Sequence, residues 1–516
     1  MASRLDIGGG QEHKGSDYRP GGRRRHTSTG RRRPCTGGSP TPRHGTAAPP
    51  TGWRQGWRPP PTRHSPPALR GDRVPDWIRN AVFWHVYPLG FLGAERDAGP
   101  QTPVTHRLRR LEPWLDYAAD LGASGLMLGP IFASSTHGYD TLDHFRIDPR
   151  LGDDADFDAL AGAAKARGMR LVLDGVFNHL GRGHPAFTEV LAQGRSAPRA
   201  DWFRLSWPRG DGPGQTPDYA TFEGHGELPA LDHDNPAVAD LVADVMTHWL
   251  RRGADGFRLD AAYAVPTRFW ATVMARVRTA CPDAYVFGEV IHGDYAGFVR
   301  EARIDATTQY ELWKAIWSAI VDQNFFELAW AMTRHEALLD TFVPQTFLGN
   351  HDVTRLASRI VDERHVAHAV VILFTCAGTP SIYAGDEQGF RGFKEDRPGG
   401  DDDVRPAFPE TPDGLAPYGW PMHELHRSLI ALRRLNPWLH AARTRSVALA
   451  NHHMVYETRG AGGESLTVAL NLSDRDITET APGAARVIAG AATLGRSGTA
   501  KATVTLPPHG WAILAP

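Results

Sequence analysis

The chain has 516 residues, a 41% hydrophobic fraction and a formal net charge of -1. That is long enough for a large core and two or three domains, and no apolar run approaches the ~20 residues needed to span a bilayer. Three cysteines, Cys35, Cys281 and Cys376, lack paired spacing, which argues against a disulfide framework or a CxxC metal site.

The near-zero net charge hides a split. Residues 1–75 carry 15 Lys/Arg against 4 Asp/Glu, which leaves 42 against 54 for the rest of the chain. Residues 1–73, with RPGGRRRHTSTGRRRP and WRPPPTRHSPP, have no apolar period and read as a disordered basic arm. Nucleic-acid binding by the arm is not expected, because no aromatic stacking motif or folded reader accompanies it. The N-terminus lacks the apolar core of a secretory signal, so the sequence-based expectation is a cytoplasmic protein without membrane partners.

From Trp77 onward short apolar runs alternate with helical stretches, the signature of a parallel α/β sheet. Candidate strands are 81–87, 125–130, 170–175, 255–260, 284–289, 304–308, 345–349 and 381–384. Eight such runs predict a closed (β/α)₈ TIM barrel over 74–436. In the helix after Asn235, Val238, Leu241, Val242, Val245, Met246 and Trp249 form one apolar face, which Gly253 ends. Residues from about 180 to 233 are too long for a simple connection and predict an insertion after the third strand, overhanging the rim where barrel active sites lie. From 437 to 516 alternating strands punctuated by Gly and Pro predict a C-terminal antiparallel β domain, a β-sandwich.

Polar clusters recur at strand ends. LVLDGVFNH delivers Asp174, Asn178 and His179, GFRLDAA delivers Arg258 and Asp260, FGEV delivers Glu289, and TFLGNHDVTR delivers Asn350, His351 and Asp352. A closed barrel makes these ends converge. Arg258 and Asp260 sit two apart on one strand and so point the same way. The guanidinium is expected to keep Asp260 ionised as a nucleophile, while partial burial of Glu289 beside other carboxylates suits it to general acid work.

These segments resemble, in order, the signature regions of the α-amylase family, glycoside hydrolase family 13. VFWHVYPLGF, HGYDTLDHFRIDPRLG and GTPSIYAGDE extend the resemblance from about Ala81 to the C-terminus. It implies that Asp260 is the nucleophile, Glu289 the general acid/base and Asp352 a third carboxylate that holds sugar hydroxyls. It further implies that His179 and His351 donate to the sugar, that Tyr139 is its stacking platform assisted by His137, and that Arg258 belongs to the binding set. Asp174, Asn178 and Asn350 are read as supports behind these groups, and Asp386 and Glu387 as structural.

ELPALDHDNPAV and VPTRFWATVMARVR are similar to neopullulanase and cyclomaltodextrinase members, although Asp232 stands where those carry Asn. AAYAV follows Asp260 where calcium-dependent members of the family place Lys-His, which puts a calcium requirement in doubt, and the resemblance firmly implies no cofactor. HELH at 423–426 lacks the spacing of a metal-binding helix. The resulting expectation is a retaining hydrolase of α-1,4-linked malto-oligosaccharides or related α-glucans. A transglycosylase of the same family and a non-catalytic carbohydrate-binding homologue are the alternatives.

Overall fold

The structure, a computed structural model, describes residues 74–516 apart from 100, 398, 497, 499 and 500. The basic arm expected over 1–73 lies outside the described residues.

Eight parallel strands form the catalytic scaffold: β1 (Phe83–Val86), β2 (Gly125–Leu128), β3 (Arg170–Gly175), β4 (Gly256–Leu259), β5 (Tyr285–Gly288), β6 (Ala306–Thr307), β7 (Gln345–Phe347) and β8 (Thr379–Tyr383). All eight fall within or beside the runs read from sequence. Their hydrogen-bonded order is β6-β5-β4-β3-β2-β1-β8-β7, and a parallel bridge from Thr308 to Gln345 joins the two ends into a barrel. Register decides which polar ends meet. β3 pairs with β4 so that Asp174 lies opposite Arg258, and β4 pairs with β5 so that Leu259 lies opposite Gly288.

Helices form the outer layer, and their ends follow local chemistry. In α3 (Pro236–Arg252), after α1 (Glu112–Leu121) and α2 (Asp154–Ala166), Asn235 Oδ1 accepts from the Ala237 N–H at 2.9 Å and proline opens the first turn. Gly253, at φ 131°, stops it. The inward face buries Val238, Val242, Val245, Met246 and Trp249. Trp249 packs against Phe132 and Phe157, with ring centroids 5.1 and 4.8 Å away, and its indole N–H donates to the His144 carbonyl at 2.7 Å.

Between β3 and α3 the chain leaves the barrel. It forms a short helix (Pro185–Gln193) and a two-stranded ribbon of 205–206 with 218–219. Bridges His179–Ala230 and Thr221–Pro229 then return it to the rim beside His179.

After the helix Trp420–Leu435, strands β9 (Arg443–Leu449), β10 (His453–Arg459), β11 (Ser465–Asn471), β12 (Ile477–Thr480), β13 (Arg486–Gly490), β14 (Thr493–Arg496), β15 (Ala502–Leu506) and β16 (Trp511–Ala515) make two antiparallel sheets. Their orders are β9-β10-β11-β16-β13 and β12-β15-β14. The alternation seen in the sequence divides the larger sheet between two cores rather than between core and solvent. Met454, Tyr456, Leu466, Val468, Leu470 and Ile513 join the core that runs into the barrel. Val455, Ala469, Ala512 and Leu514 join a second cluster with Val504 and Leu506 of the smaller sheet.

Trp249→Ala is expected to lower stability by about 3–5 kcal/mol, because it opens a cavity and orphans the His144 carbonyl. The shift of the denaturation midpoint measures it.

Candidate active site

The C-terminal ends of β3, β4, β5 and β7 bring the expected carboxylates to one cleft of about 440 Å³, lined in part by Tyr139, His179, Asp260, Glu289 and Asp352. At its base lies Arg258, fully surrounded by acids. Its Nη1 donates to both Asp174 oxygens at 2.7 and 2.8 Å and to Asp260 Oδ1 at 3.3 Å. Nη2 lies 2.8 Å from Glu289 Oε1. Burial works against the Arg258 charge, but Asp174, Glu289 and Asp260 more than offset it.

This distribution corrects one electrostatic expectation. Arg258 was expected to hold Asp260 ionised, yet its two shortest contacts are to Asp174 and Glu289. Burial therefore pushes the Asp260 carboxyl well above the usual range, against Arg258 and with help from Glu289 and Asp174. Asp174 is raised by burial to about 6 despite its bidentate partner. Asp260 and Glu289 are held on neighbouring nitrogens of one guanidinium.

Glu289 is held from two further sides. The Ala261 N–H donates to Oε2 at 3.1 Å and the Tyr310 hydroxyl to Oε1 at 2.9 Å. Ala261 has φ 43°, a left-handed conformation uncommon for a residue with a Cβ, and this turn aims its N–H across the cleft. Asn350 braces the far wall: its Nδ2 donates to the Tyr310 oxygen at 2.8 Å, and its Oδ1 accepts from the Asp352 N–H at 2.9 Å.

Asp352 has the opposite electrostatics to Asp260. Burial opposes its charge, but the His351 ring at 3.1 Å and the Arg405 guanidinium at 2.9 Å hold it well below the ordinary carboxylate range. His351 is sandwiched between Tyr87 and Tyr139, both at 5.5 Å centroid separation and nearly coplanar. Its Nε2 meets the Tyr139 hydroxyl, which donates to Asp174 Oδ2 at 3.1 Å. One chain of contacts thus ties Tyr139 to carboxylates on two strands.

The remaining expected residues have mixed placements. His179 lines the cleft, stacks on Phe222 at 4.8 Å, and has both ring nitrogens engaged, Nε2 with the Tyr139 carbonyl and Nδ1 with Asn178. Burial lowers it to about 3, so the ring is neutral. His137, Arg258 and His351 stand behind the cleft wall. His137 receives the Tyr139 N–H on Nδ1, and its carbonyl accepts from the Tyr87 hydroxyl. Asp386 and Glu387 lie apart from the cleft lining, paired with Arg355 at 3.0 Å and Tyr117 at 2.9 Å.

Sequence reading missed Tyr310, Arg405, Tyr87 and the mouth of the cleft. Arg405 lies in an irregular stretch 53 residues beyond Asp352, where no periodicity flags it. Phe222, Tyr263 and Ile291 line the mouth. Tyr263 sits in AAYAV, the stretch noted for what it lacks; its hydroxyl donates to Glu223 Oε1 at 2.9 Å, and Glu223 is itself left-handed at φ 48°. The returning segment 221–228 is thereby tied beside the loop that carries Asp260.

Among the described residues, no group of three His, Cys, Asp or Glu ligand atoms close enough to hold a metal lines the cleft; the two such groups lie elsewhere. Calcium needs six to eight oxygen ligands, and the alanines around Tyr263 supply no side-chain oxygen. In the stretch AAYAV after Asp260 only Tyr263 carries a side-chain oxygen.

Residues 108–412 match the family model described as the α-amylase catalytic domain. The chain is 31% identical over 429 residues to a cyclomaltodextrinase of Geobacillus thermopakistaniensis, an alignment covering 78% of this chain and 70% of that one. It is 32% identical over 342 residues to an intracellular maltogenic amylase of Bacillus subtilis, covering 62% of this chain and 57% of the relative. A solved cyclic α-maltosyl-(1→6)-maltose hydrolase from Arthrobacter globiformis superposes with a TM-score of 0.71 at 28% identity, covering 86% of this chain and 100% of that one.

Two outcomes test the site. Asp260→Asn should stabilise the fold at neutral pH by about 0.5–2 kcal/mol, since the raised carboxyl costs stability once it ionises. The gain should vanish below about pH 4, where the acid is protonated in folded and unfolded states alike. Thermal midpoints of both proteins across pH measure it. Tyr263→Phe should raise KM for oligosaccharides about fivefold with kcat nearly unchanged, the effect of losing ~1 kcal/mol of hydrogen bonding at the mouth.

Proposed function

Because the chain belongs to the α-amylase family of glycoside hydrolases, we propose that it cleaves α-glucosidic bonds, mainly α-1,4, in malto-oligosaccharides or related α-glucans with retention of configuration. The observation that carries this reading is the placement of Asp260 and Glu289 on adjacent nitrogens of Arg258, with Asp352 in the same cleft. Placement of both carboxyls on adjacent nitrogens of one guanidinium supports a direct attack, the geometry of which needs roughly 5–5.5 Å between them.

In the reactive ionisation state the shared proton resides on Glu289. Asp260 attacks the anomeric carbon as the exocyclic C–O bond breaks, and Glu289 gives its proton to the departing oxygen. The product of this step is a glycosyl ester on Asp260. Glu289, now a base, takes a proton from water as the water oxygen displaces Asp260, restoring both carboxyls. Asp352 stays ionised throughout, and its charge favours the oxocarbenium-like transition state. Tyr139 lies under the sugar, with His351 fixing its hydroxyl. His179 and Tyr310 complete the wall.

Similarity to a cyclomaltodextrinase, a maltogenic amylase and a cyclic α-maltosyl-(1→6)-maltose hydrolase supports short or cyclic α-glucans as the substrate class. One relative is named as intracellular and no described helix is long and apolar enough to cross a membrane, which supports a cytoplasmic reaction. The aromatic mouth at Phe222 and Tyr263 also suits a sugar acceptor, so transglycosylation is the second reading.

Product analysis on maltotriose, cyclodextrins, pullulan and starch tests the proposal. The protein is expected to release α-configured glucose or maltose, and Glu289→Gln to lower kcat about 10²–10⁴-fold. Products longer than the substrate would favour transfer. Binding without turnover in both proteins would leave only a carbohydrate-binding homologue.

A further inference from the structure

A second constellation joins the barrel to the C-terminal sheets far from the carboxylates just described. His365 precedes the helix Val366–Thr375, which connects β7 to β8, and His509 occupies the turn between β15 and β16. His365 Nε2 and His509 Nδ1 face one another at 2.9 Å. Each ring turns its other nitrogen toward an acid. His509 Nε2 lies 2.7 Å from Asp474 Oδ1, and His365 Nδ1 lies 3.8 Å from Asp362 Oδ2. Asp362 is itself fixed by Arg364, whose Nε and Nη2 donate to it at 2.9 and 2.6 Å.

The order Asp362, His365, His509, Asp474 has a chemical consequence. A carboxylate beside the outer nitrogen of an imidazole favours a proton there and leaves the inner nitrogen with a lone pair. Asp474 acts in this way on His509, whose Nδ1 lone pair then faces His365 Nε2. A proton joins the two nitrogens in their hydrogen bond, and a cation can take its place. His509 adopts a left-handed backbone, φ 54°, to present its ring in this way. Ligand atoms from Asp362, His365 and His509, one from each residue, come within 4.8 Å of one another.

We infer that His365 and His509, with Asp362 as a third ligand and Asp474 backing His509, form a binding site for a divalent transition-metal ion of the zinc class that clips the C-terminal sheets to the barrel. Imidazole nitrogens select zinc, copper or nickel over calcium and magnesium. Two nitrogens on a tetrahedral zinc stand roughly 3.3 Å apart, so the rings need to separate by only a few tenths of an ångström. The other His–carboxylate group in the described residues carries no such feature. Asp153 and Asp156 close the capping box of α2, and Asp156 is occupied by His106 and Arg109.

The test titrates Zn²⁺ into the full chain and counts bound equivalents by calorimetry, with thermal midpoints recorded beside it. His509→Asn removes the ligand while keeping a residue that tolerates the left-handed backbone. Asp474→Asn removes only the backing charge on an exposed side chain. Histidines elsewhere in the chain are common to all three proteins, so differences between them isolate this site. The expected result is one equivalent fewer in His509→Asn, about 10–100-fold weaker binding in Asp474→Asn, and a Zn²⁺-dependent rise in midpoint confined to proteins with His509. Ca²⁺ and Mg²⁺ should leave the midpoint unchanged. Equal stoichiometry and equal midpoint shifts in wild type and His509→Asn would overturn the inference and leave the pair as a plain His–His hydrogen bond.

Discussion

One buried guanidinium organises the side of the cleft that carries Asp260 and Glu289. Arg258 contacts Asp174, Asp260 and Glu289 on three adjacent strands. Three carboxylates at this depth would repel each other and lose hydration, and a single cation neither cancels their charge nor satisfies every oxygen. Asp260, the farthest of the three from the guanidinium, is the one that burial pushes well above the usual carboxylate range. Lysine would not substitute, because the contacts to Asp174 and Glu289 use two nitrogens of one rigid plane.

The opposite wall is built on a different balance. Asp352 is held charged by Arg405 and His351, and Arg405 also lies 4.6 Å from the Tyr87 ring centre. Burial thus raises Asp260 on one side of the cleft, while Arg405 on the other side helps hold Asp352 low. An ionised acid facing a developing positive charge needs no reorganisation at the moment of reaction. Tyr139 links the two sides through Asp174 and His351, so the sugar platform and the charges are fixed by the same contacts.

Rigidity of this arrangement comes from the layers outside it. The barrel is closed by the Thr308–Gln345 bridge, which fixes β7 and its Asp352 beside β6 and Tyr310. Behind the barrel the larger C-terminal sheet buries both of its faces, one against the barrel and one against the smaller sheet. A strand such as β11 has no solvent side to give up. The C-terminal region therefore packs as an extension of the core rather than as a separate body.

The sequence by itself determined the eight-strand alternation, the helix α3 with its cap and stop, and the polar strand ends, because each is a local pattern of period 2 or 3.6 or a residue at a fixed offset. Asp260, Glu289 and Asp352 were legible for that reason: they follow apolar runs, and a closed barrel has only one place for such ends to meet. Tertiary structure alone decided how Arg258 divides its nitrogens. Strand register set Asp174 opposite it, so the neighbour two residues away, Asp260, received the longest contact and its carboxyl rose instead of falling. Only the fold could bring in Arg405, Tyr310 and the segment around Phe222, which lie far from the carboxylates in sequence and carry no periodic signal. Pattern records what a residue does to its own element, whereas the ionisation of a buried acid depends on every charge that packing places around it.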